Sequence, residues 1–204
     1  LRRRAGRALA AAGLVEVLNY PFIARADLEL LGIAEGDPRM ALVDLANPMS
    51  DEAPSLRTTL LPGLVAAARR NLSRGTTEIA LSEIGLVFRG AGIGTSTKPP
   101  RPSVAGRPSD SDVTGLAALL PEQPRMAGGL LAGERDRAGW WGNGRQADWS
   151  DALGIVADLA DEVGVTVEVA SAAMAPWHPG RCASISLAGR VLGFAGELHP
   201  RVIE

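Results

Sequence analysis

The sequence predicts an α+β fold, an antiparallel β-sheet flanked by helices, and three observations carry that prediction. Ala183, Ile185 and Leu187 alternate with Cys182, Ser184 and Ser186, the period of a half-buried strand, and Gly189-Arg190 can turn the chain into a second strand from Val191 to Leu198. In WSDALGIVADLADEVGV, residues Ala152, Leu153, Val156, Leu159, Ala160 and Val163 form one apolar stripe; Asp148 is placed to cap it and Gly164 to end it. No strand-helix-strand repeat of about 30 residues and no G-x-G-x-x-G fingerprint occurs, which sets a dinucleotide-binding doubly wound sheet aside.

The remaining elements follow in order. Leu1, Ala5, Ala8, Leu9 and Ala12 fall at helical spacing, and Gly13 closes that helix. Arg2, Arg3, Arg4 and Arg7 lie on its other faces, either as a solvated surface or as a contact for RNA. Leu14 to Phe22 is β-rich and stopped by Pro21, and Asp27 to Leu31 reads as a short helix closed by Gly32. Met40 to Leu45 reads as a buried strand, Asn47-Pro48 as a turn, and Ser50 to Pro54 as a polar loop. Pro62 suits the first turn of a helix through Val65, Ala68 and Leu72, stopped at Gly75, and Glu78 to Phe88 is a strand carrying an inward Glu83. From Gly90 to Pro124 the chain is rich in Gly, Pro and Ser, so it is expected as a mobile insertion within one domain; strands resume at Met126 to Ala132 and Val165 to Val169.

The length fits one large domain or two small ones, and the apolar strands on both sides of the insertion favour one, spanning residues 1–204; 46% of the residues are hydrophobic and the net charge is -2. That balance lacks the excess of Lys and Arg that a general nucleic-acid surface needs. Cys182 is the only cysteine, so no intrachain disulfide can form, and a reducing cytosol fits. No apolar run reaches the roughly 18 residues of a membrane span, and no signal peptide opens the chain. Both ends read as cuts through a longer polypeptide.

Few residues suggest chemistry. His178 and His199 each precede proline, with Cys182 nearby: either part of a zinc site, which would need a fourth ligand, or residues that set turns. Glu83 and Glu197 stand in apolar strands, either as acid and base or as partners of a buried Arg57 or Arg181. Ser82 and Cys182 have no G-x-S-x-G elbow and no assigned base. Trp140 and Trp141, close to Gly142 and Gly144, either stack on a base or sugar or plug the end of a loop. No catalytic, cofactor-binding or metal-ligating residue is assigned.

Several ordered segments resemble the phenylalanyl-tRNA synthetase β subunit family, in the region after its B5 domain often called B6-B7. In LANPMSDEAPSLRTTLLPGL the residues Asn47, Pro48, Ser50, Leu56, Arg57, Leu61, Pro62, Gly63 and Leu64 match the family's "NP.s.e...lR.sLlpgLl". IALSEIGLVF is similar to its "lFEiG.vf", with Ser82 where an aromatic usually falls, and ADWSDALGIVADL to its "vdF.dlKg.ve.ll". The ending WHPGRCASISLAGRVLGFAGELHPRV matches "lHPGr.A.i...g...G..GeLHP" through His178, Pro179, Gly180, Arg181, Ala183, Gly193, Gly196, Glu197, Leu198, His199 and Pro200. The likeness covers nearly the whole chain except Gly90 to about Pro124.

The resemblance implies a fold like a class II aminoacyl-tRNA synthetase catalytic core. It further implies a non-catalytic part of a ligase holoenzyme that docks the catalytic α subunit in a cytoplasmic (αβ)₂ heterotetramer, with tRNA(Phe) bound by the whole assembly. ATP and magnesium are implied for the holoenzyme and no cofactor for this segment. Class II chemistry uses an F-R-x-E-like motif at the α-phosphate, whereas here Phe88-Arg89 is followed by Gly90-Ala91. Two other readings stay open: a stand-alone class II-like domain binding ATP or an amino acid, with Arg57 and Glu83 in its pocket, and a small-ligand domain with the paired tryptophans at its mouth. The Ala-rich stripe of the first helix, Leu1, Ala5, Leu9 and Ala12, is expected to contact the partner subunit and, without it, to lie exposed or be buried in a non-native dimer; the alternative is that Leu9 packs only into the domain's own core.

Overall fold

The structure, a computed structural model, describes residues 1–90, 101–103 and 105–203. The order of elements is α1 (Arg2–Ala11), β1 (Val15–Glu16), β2 (Phe22–Ile23), α2 (Arg25–Leu30), a 3-10 turn (Pro38–Met40), β3 (Val43–Asp44), β4 (Ser55–Leu56), α3 (Leu61–Leu72) and β5 (Ile79–Leu86). It continues with α4 (Asp110–Ala117), β6 (Arg125–Ala132), β7 (Glu134–Asp136), β8 (Arg145–Gln146), α5 (Trp149–Val163), β9 (Glu168–Ser171), β10 (Trp177–Leu187), β11 (Arg190–Leu198) and α6 (Pro200–Ile203).

The antiparallel α+β architecture is present, distributed over small sheets ordered β1-β5-β6, β11-β10-β9, β2-β4-β3 and β7-β8. One pairing departs from expectation: β1 runs parallel to β5, with Val15 opposite Leu81 and Glu16 opposite Ser82. The β-rich stretch from Leu14 to Phe22 is accordingly two short strands in two different sheets, and only residues 43–44 of the expected Met40 to Leu45 strand are extended and paired.

Local chemistry explains the long elements. Asp148 accepts from the backbone N–H of Ser150 at 2.7 Å while Asp151 reaches back to the N–H of Asp148 at 2.9 Å, a reciprocal cap on α5. Gly164 ends the helix at φ 82°, a conformation that costs other residues steric strain. The same capping logic produces α4, which lies inside the stretch where no element was expected. Ser109 accepts from the N–H of Asp112, and Asp112 accepts from the N–H of Ser109. Within the rest of the expected mobile insertion, residues 91–100 and 104 lie outside the described residues.

Two clusters make the core. In the first, Leu60, Leu64, Ala67 and Ala68 of the α3 region pack on Ile79, Leu81 and Val87. In the second, Ile23, Leu28, Leu31, Ile33, Met40 and Leu42 pack together, with Val202 of α6 resting against them. Helix α5 lies against α1 and β11. Its stripe is only half-buried, Ala160 alone being fully covered. A cleft of about 1680 Å³ lies between β6 and β11, lined also by Val65 of α3 and Val156 of α5. Among the described residues each of those strands ends its sheet, which leaves one of its backbone edges without a strand partner.

The first helix does not present an open stripe. Leu9 is 5% exposed, buried within this chain, Ala5 and Ala12 are half-buried, and only Leu1 stands free. Burial of one Leu side chain removes enough apolar area from water to stabilise the fold by about 2 kcal/mol, and α5 supplies the cover that a partner was expected to give.

Candidate functional site

The matched motif of the first half converges on one internal ion pair. Arg57 follows β4 and Glu83 sits mid-strand in β5, and both side chains are almost wholly excluded from water. Arg57 Nη1 donates to Glu83 Oε1 at 2.6 Å, and Arg57 Nε donates to the Leu86 carbonyl at 3.0 Å. The second carboxylate oxygen accepts from Asn19 Nδ2 at 2.8 Å. A buried charge pair is tolerable when its remaining donors and acceptors are matched, and no buried side-chain N or O among the described residues lacks a partner.

Small residues make room for this network. A methyl on Gly85 would lie 2.1 Å from Arg57 Nη2, and one on Gly63 would lie 3.0 Å from Asn19 Cβ. Pro62 stands at the start of α3, where its missing N–H leaves no helical bond unmade. Gly63 and Pro62 thus hold the helix entry against Asn19, while Arg57 and Glu83 tie β4 to β5. The sequence marked Arg57 and Glu83 and missed Asn19, whose signal was a polar residue in an otherwise β-rich run just before Pro21.

The second motif builds a corner. His178 Nδ1 accepts from the Gly180 N–H at 3.1 Å, and His199 Nδ1 accepts from the Arg201 N–H at 3.2 Å, so each histidine caps the turn of its own His-Pro segment. Trp177 pairs with Leu198, which brings the two imidazoles into a stack with centroids 6.2 Å apart. Pro179 and Pro200 hold the extended and helical sides of these turns. Arg181 reaches across to Glu197, the second carboxylate-arginine pair, and a methyl on Gly196 would lie 2.1 Å from the Arg181 carbonyl oxygen. Burial pushes the Cys182 thiol above its ordinary range, which disfavours the reactive thiolate. Among the described residues no three His, Cys, Asp or Glu side chains come together as a metal would require.

The other marked residues lie apart. Asn47 is exposed and Pro48 half-buried in the loop between β3 and β4, whose base is tied by Ser55 Oγ donating to Asp44 at 2.5 Å. Arg89 is exposed and exchanges backbone hydrogen bonds with Glu122, at 2.9 and 3.2 Å. Trp140 and Trp141 plug nothing: they are 94% and 66% exposed. A connection that sequence reasoning did not mark is Arg39, which grips Asp37 with two nitrogens, holds that carboxyl below its usual range, and donates to the Ala175 carbonyl at 2.9 Å. Asp151, hydrogen-bonded by the Arg145 guanidinium, is lowered to about 2.

Comparison with known proteins shows which family this chain resembles. A sequence profile described as the phenylalanyl tRNA synthetase beta chain CLM domain matches residues 1–204. The chain is 49% identical over its full length to the phenylalanine--tRNA ligase beta subunit of Streptomyces avermitilis, and 49% identical to that of Thermobifida fusca. It is 45% identical to the Cutibacterium acnes subunit over 99% of the chain. The chain spans about a quarter of the length of these curated relatives, 25%, 25% and 24%. Among solved structures, a pyrrolysyl-tRNA synthetase from Desulfitobacterium hafniense superposes with TM-score 0.60 over 98% of this chain and 58% of its own, at 15% identity. A second structure of a synthetase of that kind from the same organism gives TM-score 0.57 over 94% and 53%, at 14% identity. At such identities the likeness carries the fold, a class II synthetase core.

Proposed function

This chain belongs to the phenylalanyl-tRNA synthetase beta chain CLM-domain family, and from that premise we propose that it is a non-catalytic core that docks the catalytic α subunit. In this reading it is part of a cytoplasmic (αβ)₂ phenylalanine-tRNA ligase, and tRNA(Phe) is bound by the assembly as a whole. The observation that carries the reading is the closure of the Arg57–Glu83 pair. Arg57 spends its Nη1 and Nε donors on Glu83 and the Leu86 carbonyl, and the pair is sealed from water, so neither group is available to a phosphate or an amino acid.

ATP and magnesium belong, in this reading, to the holoenzyme outside this domain. A class II site needs an arginine at the α-phosphate and carboxylates for the metal. The described residues of this chain fit poorly: Arg57 is occupied, Arg89 is solvent-facing, and no cluster of metal-ligating side chains forms. The matched His178, Gly180, Arg181, Glu197 and His199 are spent on a structural corner. A stand-alone ATP- or amino-acid-binding domain would have to open these contacts to accept ligand.

Two measurements test the proposal. Co-expressed with the α subunit, the full-length subunit bearing this domain should co-purify with it. Titration of the subunit with ATP and phenylalanine in the calorimeter should give no heat traceable to this domain. Saturable heat lost on substitution of Arg57 would turn the reading toward the ligand-binding alternative.

A further inference from the structure

We infer that the Trp140-Trp141 turn is a protein-binding hot spot, and, resting on the reading above, that its occupant is the α subunit. The two tryptophans hold the tip positions of the β7–β8 hairpin: Gly139 and Gly142 exchange both backbone hydrogen bonds around them, at 2.9 and 3.0 Å. Trp141 folds back over Gly139, where a methyl would lie 2.6 Å from its ring, and donates its indole N–H to the Arg137 carbonyl at 3.0 Å. Trp140 stands edge-on to it, centroids 5.7 Å apart, with 94% of its surface exposed.

The hairpin is braced beneath this tip. Arg137 pairs with Glu78, Arg145 with Asp136 and Asp151, and Arg135 donates to the Ala12 carbonyl at 3.1 Å. Trp141, held by its indole hydrogen bond, loses little conformational freedom on binding, and tryptophan is enriched among the residues that dominate interface affinity. Large apolar surface displayed on a rigid tip is therefore read as contact surface.

Charge decides between a protein and a nucleic acid. The three arginines at the hairpin base, Arg135, Arg137 and Arg145, are met by the four carboxylates of Glu78, Asp136, Asp148 and Asp151. No positive surplus remains for a phosphate backbone, which supplies most of the affinity of nucleic-acid binding. The matching surface is an apolar socket with a neutral or basic rim on a protein.

The test uses the full-length subunit and its α partner. Trp140→Ala should weaken their association about 30-fold, and the Trp140→Ala/Trp141→Ala pair should do so by more, with unchanged circular dichroism, in line with a hot spot. Hydroxyl-radical footprinting should show the tip open in the isolated subunit and protected once the α subunit is added. Wild-type affinity in the double variant would overturn the inference and leave the proposed function standing. Protection already complete without the α subunit would overturn it in favour of a socket within the same polypeptide, and protection appearing only with tRNA would overturn it in favour of base stacking. A wild-type subunit that does not bind the α subunit would overturn both readings together.

Discussion

Arg57 and Glu83 lie 26 residues apart in sequence and meet at 2.6 Å inside the protein, their side chains 6% and 3% exposed. Removing one partner leaves the other charged and unsolvated. Arg57→Met should therefore lower unfolding stability by about 3–5 kcal/mol, measured by urea denaturation. Arg57→Met combined with Glu83→Leu should recover much of that loss, because an apolar pair of similar volume carries no stranded charge. Equal losses in the single and double variants would show that the pair contributes through shape alone.

Gly196 tests the other corner. A side chain there meets the Arg181 carbonyl, a backbone atom that cannot swing aside. Gly196→Ala should cost about 1–3 kcal/mol through displacement of the β10–β11 hairpin. Gly193→Ala, in open space on the same strand, serves as the control and should change stability by much less. The two thermal midpoints decide it.

Glu197 is only partly covered and faces an Arg181 that is half in solvent, with side chains 31% and 51% exposed. An ion pair in that setting contributes up to about 1 kcal/mol. Glu197→Gln should therefore leave the melting temperature nearly unchanged and aminoacylation by the reconstituted enzyme intact. A fall in turnover of about 100-fold in a folded variant is the size expected of a general acid or base and would contradict an anchoring role.

The depressed Asp151 carboxyl gives a pH signature. Its folded value, about 2, lies below its ordinary 3.8 because Arg145 hydrogen-bonds the charged form. A group lowered by folding contributes stability that is fully present above its unfolded value and is lost as pH falls towards the folded one. Stability should thus be level from neutrality to about pH 5 and decline between about pH 4 and 2. Asp151→Asn should flatten part of that decline, seen in thermal scans across the range.

Leu9 separates core from contact. As a buried residue of α1 it should cost about 2–5 kcal/mol when cut to alanine, and Leu9→Glu should unfold the domain. A Leu9→Glu protein that stays folded by circular dichroism would show that the helix packs less tightly against α5 than the structure has it.

Legibility in the sequence followed the range of the interactions. Helix α5 and the β10–β11 hairpin were readable because their caps, stripes and turns lie within a few residues of one another. The same kind of signal, Ser109 with Asp112 three residues on, marks α4, but it stands in a stretch so poor in apolar residues that composition argues against any element there. The parallel pairing of Val15 with Leu81 joins segments more than 60 residues apart, and strand periodicity does not name a partner. For Glu83 the residue types restricted the choice to Arg57 or Arg181, and only geometry assigned Arg57 to it and Arg181 to Glu197. Leu9 illustrates the converse: an apolar stripe states that it will be covered, and its own α5 proved to be the cover.

The unpaired edges of β6 and β11 have a consequence for handling the protein. An open strand edge is a template for any extended backbone, including another copy of the same strand. These two flank an apolar cleft, so edge-to-edge pairing would also hide greasy surface that water now touches. Such pairing grows with protein concentration whereas folding does not, and the domain should keep longest when dilute and cold, turning turbid on concentration before it unfolds. Whatever chain segment lodges in that cleft acts, in effect, as an inhibitor of aggregation.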